Sequence, residues 1–153
     1  MIQLKPLQQE DFEKFLEREI RGYAEEHVRN GNWPAEGSLE RSRKEFERLL
    51  PDGTHSEHQY LWSLVDESDN QVGVLWVQVK DGKAFIFDFV IDEAFRGRGY
   101  GKQSLSALNE QLKAMDVESV GLHVFGDNIN AQELYKKMGY IITGIHMQKK
   151  LNS

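Results

Sequence analysis

The chain has 153 residues, 39% hydrophobic and 29% charged, a length and balance that fit one ordinary folded domain over 1–153 and exclude global disorder. Nineteen basic against twenty-five acidic residues leave a net charge of −6, which argues against a nucleic-acid partner gripped by a basic face. There is no cysteine, so disulfide scaffolds, thiolate metal sites and cysteine nucleophiles drop out.

The N-terminal MIQLKPLQQEDF lacks a basic and apolar leader, and no apolar run approaches the ~20 residues of a membrane helix. The expected setting is cytoplasmic, with no membrane partner. From Gln8 to Arg29, Phe12, Leu16, Ile20, Tyr23 and His27 recur at three- and four-residue steps, which predicts an amphipathic helix. A second helix is expected from a Ser38 cap through Leu50, with Leu39, Phe46 and Leu50 on its inner face and Pro51 ending it. The period then shortens. Tyr60 to Val65, Val72 to Val79 and Ala84 to Ile91 read as strands of an antiparallel meander, parted by Asp69-Asn70 and Asp81-Gly82 turns. Gly99 to Asp116 returns to helical spacing through Leu105, Leu108, Leu112 and Met115, and Val120 to Phe125 reads as a strand. Asn130 and Glu133 suggest a capping box for a last helix with Ala131, Leu134, Tyr135 and Met138 on one face, closed by Gly139. Tyr140 to Leu151 reads as a final strand. The pattern is a mixed α/β domain with one central sheet.

The most informative stretch runs from Ala84 to Leu105, where an apolar strand leads into Arg96-Gly97-Arg98-Gly99-Tyr100-Gly101 and then a helix. Alternate glycines let the backbone curl around a ligand, the helix N-terminus adds partial positive charge, and Arg96, Arg98 and Lys102 add full charges, which suits a phosphate or pyrophosphate. A Walker-type loop would need its first glycine at Arg96. A dinucleotide fingerprint would need its third at Lys102 or Ser104. Neither spacing is met, so a phosphate-loop nucleotide binder is the weaker reading.

The same hexapeptide is similar to the Gln/Arg-x-x-Gly-x-Gly/Ala motif of the GNAT superfamily of acetyl-CoA-dependent N-acetyltransferases. Asn128 to Tyr140 (NINAQELYKKMGY) resembles that superfamily's second signature, Asn-x-x-Ala-x-x-Leu-Tyr-x-x-x-Gly-Phe/Tyr. The likeness spans roughly Val72 to Leu151, leaving the first ~58 residues as a helical acceptor-side region ahead of the sheet. It implies a mostly antiparallel mixed sheet flanked by helices, whose central strands, ending near Ile91 and Phe125, splay apart. It also implies acetyl-CoA in the gap: backbone groups of Val90 and Ile91 along the pantetheine, amides from Arg98 to Lys102 on the pyrophosphate, Asn128 on the opposite side.

Acyl transfer from a thioester to an amine needs a neutral nucleophile, a partner for the oxyanion and an acid for the departing thiolate. Tyr135 occupies the superfamily's tyrosine position and is the candidate acid; it could equally be a core aromatic beside Leu134 and Met138. Asp88 interrupts Phe85-Ile86-Phe87 and Phe89-Val90-Ile91, an expensive place for a carboxylate unless it is paired or used. Near the acceptor it would bind or deprotonate an ammonium; otherwise it is bonded to backbone or arginine. His123 reads as structural, and the His55 and His58 pair as a solvated loop, so no metal site is expected. Tyr23, His27 and Trp33 are candidate acceptor contacts, although the same residues suit an ordinary helix and a packed loop. The first 58 residues hold nine basic and thirteen acidic groups, a bias that suits a small-molecule or peptide amine. The reading is an acetyltransferase acting by direct attack in a ternary complex, as monomer or homodimer; the alternative is a non-catalytic acyl-CoA sensor or regulatory module.

Overall fold

Val, Trp and Phe in short alternating runs lay down five strands, and longer three-to-four-residue periodicities lay down four helices across residues 1–151, which the computed structural model describes. In chain order these are β1 (Gln3–Pro6), α1 (Gln9–Arg29), α2 (Ser38–Leu49), β2 (Gln59–Val65), β3 (Gln71–Lys80), β4 (Lys83–Ile91), α3 (Tyr100–Ala114), β5 (Ser119–Leu122) and α4 (Ile129–Lys137). Strand order in the sheet follows the chain, β1 to β5, and every pairing is antiparallel except β4 with β5. Asp81 and Gly82 close the β3–β4 hairpin with φ of 52° and 75°, the two positive values of a tight primed turn.

The sheet is covered on both faces. Trp62, Leu64, Leu75, Val77, Ala84 and Ile86 pack with Leu105, Leu108 and Leu112 of α3 and with one side of α4. Leu61, Val74 and Trp76 pack on the other face with Phe12, Phe15 and Ile20 of α1 and Phe46 of α2. Ser42 of α2, fully buried, donates to the Ile20 carbonyl at 2.7 Å and ties the two helices together. Among the described residues no helix is long and apolar enough to cross a membrane.

The structure departs from the sequence pattern at several elements. β1 has no counterpart there, because four residues ending in a proline show no usable alternation; it pairs along β2 from Gln3↔Val65 to Pro6↔Trp62 as an edge strand, where a proline is tolerated. Ser38 does not cap α2: Gly37, in the left-handed region, precedes the helix, and the Ser38 hydroxyl donates back to the Ala35 carbonyl. Leu39 is exposed rather than inward. Asn128, not Asn130, caps α4, accepting from the Ala131 amide at 3.2 Å. Gly139, at φ 96°, does follow that helix as expected. Tyr140 to Leu151 forms no strand: Ile141 to Lys150 runs without turn, bend or ladder pairing.

The β2–β3 register slips at Leu64/Val65, and regular pairing fails at two further places, both on β4. This strand pairs with β5 only over Lys83–Ile86 against Ser119–Leu122 and continues alone to Ile91, so the two strands part beyond Ile86. On its other side the β3–β4 register slips at Trp76/Val77, which face Asp88 and Ile86, leaving Phe87 as the extra residue of a β-bulge. Beyond the bulge Gly73 lies across from Ile91, so near the β4 backbone that a Cβ would run into the Val90 carbonyl oxygen. Gly73→Ala must therefore push β4 away. We expect it to cost at least ~3 kcal/mol, lowering Tm by roughly 6–12 °C in a thermal melt.

Candidate active site

The bulge decides which way the acid of β4 points. Residues of β4 on the α3 face run Ala84, Ile86, then Phe89, Ile91, a change of phase by one residue. That change sends both Phe87 and Asp88 to the α1–α2 face, where Phe87 lies 4.8 Å from the Trp76 ring. An unbroken strand would have driven Asp88 into the apolar layer under α3. Its carboxyl instead lies deep at the base of a cleft of about 850 Å³ between the α1–α2 pair and the diverging ends of β4 and β5, while the residue keeps some solvent contact from the cleft side. A cleft of this size suits a small-molecule substrate.

Asp88 meets another acid there. Burial first, then the negative charge and the carboxyl of neighbouring Glu19, hold the Asp88 carboxyl well above the usual carboxylate range. Glu19 is itself bonded by Arg18 at 2.8 Å. Glu26 and Glu45 line the same wall, and burial pushes the Glu26 carboxyl up. With Asp92 and Glu93, six carboxylates face two arginines, Arg18 and Arg96, around the cleft.

Tyr135 approaches from the opposite face. It sits on α4, lines the cleft, and is held above its ordinary pKa first by burial, then by Tyr140 and Asp88. Its phenol therefore stays protonated through the physiological range. Asn128 and Ala131 line the same side, the Asn128 side chain being engaged as the cap of α4.

At the end of the cleft marked by Arg96, the glycine turn leads into α3. Gly97 and Gly99 have φ of 77° and 81°, values that side chains other than glycine's rarely adopt. Gln103 is the residue whose amide bonds to the Gly99 carbonyl, so the amides of Tyr100, Gly101 and Lys102 in the first turn have no carbonyl of the helix to bond. Gly101 has a second duty: a Cβ there would stand 3.0 Å from Leu134 Cδ2, so its absence lets α3 and α4 close together. Tyr100 turns inward, its hydroxyl 3.4 Å from Asp66, and Arg98 lies over the Phe95 ring at 5.5 Å. The Arg96 guanidinium donates to the Ile91 carbonyl at 2.8 Å, which occupies that backbone oxygen and pins the strand end to the turn.

The structure thus brings Asp88, Tyr135, Val90, Ile91, Arg96, Asn128 and Tyr23 to one cleft. It does not bring His27 or Trp33 there. Trp33 is sandwiched, His27 stacked on one side at 4.1 Å and 9° and Arg41 over the ring at 4.5 Å, so neither face is free for a substrate cation. Both residues brace Tyr23 from behind, His27 meeting its ring edge-on at 4.5 Å. His123 lines the mouth of the cleft. Sequence reasoning missed Glu19, although a signal was present: it falls on the Phe12, Leu16, Ile20, Tyr23 stripe of α1, between Leu16 and Tyr23, where an acid is out of place.

A β-sheet opened between its last two strands, a parallel pair, with a glycine turn and helix N-terminus beyond β4, defines an acyltransferase-like α/β fold. The model of the Acetyltransferase (GNAT) family matches residues 10–140, and the chain belongs to that family. It is 39% identical to the uncharacterized N-acetyltransferase YycN of Bacillus subtilis, over 98% of this chain and 99% of that one. The uncharacterized N-acetyltransferase YdgE of the same organism is 33% identical over 97% of each chain. The crystal structure of YycN superposes with a TM-score of 0.96 at 38% identity over the whole of both chains. The fold is also that of the PaiA N-acetyltransferase of Thermoplasma acidophilum, solved in complex with coenzyme A, with a TM-score of 0.68 at 18% identity over 93% and 91% of the chains.

Because Asp88 is costly to ionise in place, the folded state is penalised as pH rises from the normal carboxylate range through its raised value. Asp88→Asn removes that penalty. We expect a higher Tm than the parent at pH 8 and a difference that shrinks toward pH 4, read by thermal melts across pH.

Proposed function

We propose that this chain is a single N-acetyltransferase domain that moves an acetyl group from acetyl-CoA to a cationic primary amine by direct attack in a ternary complex. The observation that carries the reading is the convergence of a buried carboxyl pair from one face of the sheet and a protonated tyrosine from the other on the gap between β4 and β5. Family membership and the coenzyme A held by the Thermoplasma neighbour support the donor.

The residues present fit that donor. The positive-φ glycines and free amides from Arg98 to Lys102 form a cradle for a pyrophosphate, backed by the dipole of α3 and by Lys102. On its β5 side the end of β4 at Val90 and Ile91 has no strand partner and would run beside an extended pantetheine arm, with the Ile91 carbonyl already held by Arg96 and Asn128 across the gap. Bound acetyl-CoA would supply the acetyl thioester.

This chain's own residues then do the rest. Glu26, Glu45 and Glu19 draw an ammonium into the cleft and discriminate against anions. Asp88, made more basic by burial and by Glu19, takes the proton that makes the amine a nucleophile. Tyr135 keeps its proton against Asp88's charge and gives it, or a hydrogen bond, to the departing sulfur. Most of the rate comes from holding the two reactants in line.

Calorimetric titration with acetyl-CoA, followed by a panel of amines while free thiol is monitored, tests the proposal: binding and thiol release are expected. Binding without release across amines would make the protein an acyl-CoA sensor, and no binding would overturn the reading. Tyr135→Phe should lower kcat by ~10²–10⁴-fold with the acetyl-CoA Kd little changed; equal loss of both would recast it as a packing residue. Activity of the parent should rise with pH as Asp88 ionises. Removing the neighbouring negative charge in Glu19→Gln should shift that limb to lower pH, and Asp88→Asn should abolish it, as pH–rate profiles would show.

A further inference from the structure

We propose that Asp127 is a positioning residue: tied to Arg29 and Asn30 at the end of α1, it fixes α4, and with it Tyr135, across the cleft from Glu19 and Asp88. The proposal rests on the acetyl-transfer reading of that cleft.

The sheet leaves this separation unset. β4 and β5 are paired only as far as Ile86 and Leu122, short of Asp88, and beyond that point no ladder joins the two walls of the cleft. Packing grips α4 lightly as well. None of its nine residues is fully buried, and it leans on α3 where Leu134 covers Gly101. A helix supported so thinly from one side shifts unless it is also held from the other.

Asp127 supplies the second hold. Both of its carboxylate oxygens are engaged from the α1 side: Oδ2 accepts from Arg29 Nε, and Oδ1 accepts from Asn30 Nδ2 at 3.1 Å. Among the described residues, every hydrogen bond between the end of α1 and the β5–α4 connection falls on this one carboxylate. Asn30 is itself set, since its Nδ2 also donates to the carbonyl of cleft-lining Glu26 at 2.8 Å. His27 and Tyr23 meet the Phe125 ring nearby at 4.8 and 6.1 Å, but apolar contact of this kind has no direction to enforce.

On the other side Asp127 is mounted firmly on α4. The turn that presents it closes with the Asn128 amide donating to the Phe125 carbonyl at 3.0 Å. Gln132 of α4 reaches back with Nε2 to the Phe125 and Gly126 carbonyls, at 3.1 Å each, and Asn128 caps the helix. A pull on the Asp127 carboxylate is therefore a pull on α4. The Arg29 and Asn30 hydrogen bonds hold the Asp127 carboxyl below its usual range, so the tie is ionised at neutral pH. An exposed ion pair adds little to stability. One carboxylate gripped by two consecutive residues does fix a position, however. Tyr135 stands about two turns along the helix from the tie, so a tilt there moves the phenol. A displacement of ~1 Å at a reacting group costs up to about 10²-fold in rate.

Asp127→Ala should lower kcat about 10- to 100-fold, with Tm and the acetyl-CoA Kd little changed because the glycine turn and α3 are untouched. Arg29→Ala should do the same, and the two together should cost no more than either alone; it carries the test from the α1 side should Asp127→Ala fail to fold. In a Tyr135→Phe background Asp127→Ala should cost nothing further, a result that a merely structural role would not give. An unchanged kcat in the folded variant overturns the proposal, and so does a loss that adds to that of Tyr135→Phe. A second measurement needs no turnover. The chain has no cysteine, so nitroxides at Glu25→Cys on α1 and Glu133→Cys on α4 report the distance between the walls by pulsed electron spin resonance. The distribution should be narrow with Asp127 present and broad in Asp127→Ala; equal widths overturn the tie whether or not any amine is acetylated. Broadening in a chain that acetylates no amine leaves the tie standing and overturns the acetyl-transfer purpose given to it.

Discussion

Four residue pairs hold β4 to β5, and the rest of the molecule is organised around their ending there. A parallel pair that continued to Ile91 would close the sheet and leave no cleft. Instead β4 follows β3 to its end, held close by Gly73 and pinned at the Ile91 carbonyl by Arg96, while β5 turns away through Val124 to Phe125. The opening joins the two faces of the sheet, so groups on α1 and groups on α4 act on the same space. The β-bulge is its counterpart in detail. One inserted residue, Phe87, converts a buried core position into a cleft position for Asp88 and leaves the apolar phase of the strand intact on both sides.

Placed there, Asp88 and Tyr135 are tuned by the same surroundings in complementary ways. Low-dielectric burial disfavours the charged form of each, keeping Tyr135 protonated and making Asp88 a stronger base than an exposed carboxylate. Their mutual influence has the same sign, since ionised Asp88 raises the Tyr135 phenol further. Glu19 adds a like charge beside Asp88 and is itself paired with Arg18. The arrangement is unfavourable for folding, a cost that the proposed function would turn to use by giving Asp88 the basicity to take up a proton.

Much of this is legible in the sequence alone, and what is not has physical causes. The helices and the three-strand meander follow from periodicity, because each buries a continuous stripe. The glycine turn is legible because positive φ demands glycine at Gly97 and Gly99. Gly101 reads with the cofactor cradle, and its contact with Leu134 is a tertiary fact no local pattern carries. Asp88 stands out as an acid in an apolar strand, but which face it takes depends on a register slip against β3, which lies in the pairing of two segments and in neither alone. His27 and Trp33 suggest an aromatic site for a cation; the stacking that fills both faces of Trp33 requires Arg41, brought in from α2. Residues 140–151 read as a strand, and the alternation is real. Pairing, however, belongs to partner backbone, and none of this chain's own reaches it.

The stability needed to hold so many unfavourable groups resides away from them. Leu64, Leu75, Val77, Leu105 and Leu108 are essentially fully buried in the layer between the sheet and α3, and Trp76, Phe15 and Ile20 in the layer beneath α1. Burial of side chains of this size contributes about 1.5–3 kcal/mol each, enough to offset a raised carboxyl and a strand end without a partner on its β5 side. Those liabilities lie together, from Glu19 and Asp88 to the parted ends of β4 and β5. A sheet with its core in the β2–β3 centre can tolerate an opening at β4–β5, since the elements flanking the opening are each anchored independently: α1 by α2 and the sheet, α3 by β1 and β4. Rigid layers on both sides of a gap that neither layer needs to close are what allow Asp88 and Tyr135 to line one cleft without being packed together.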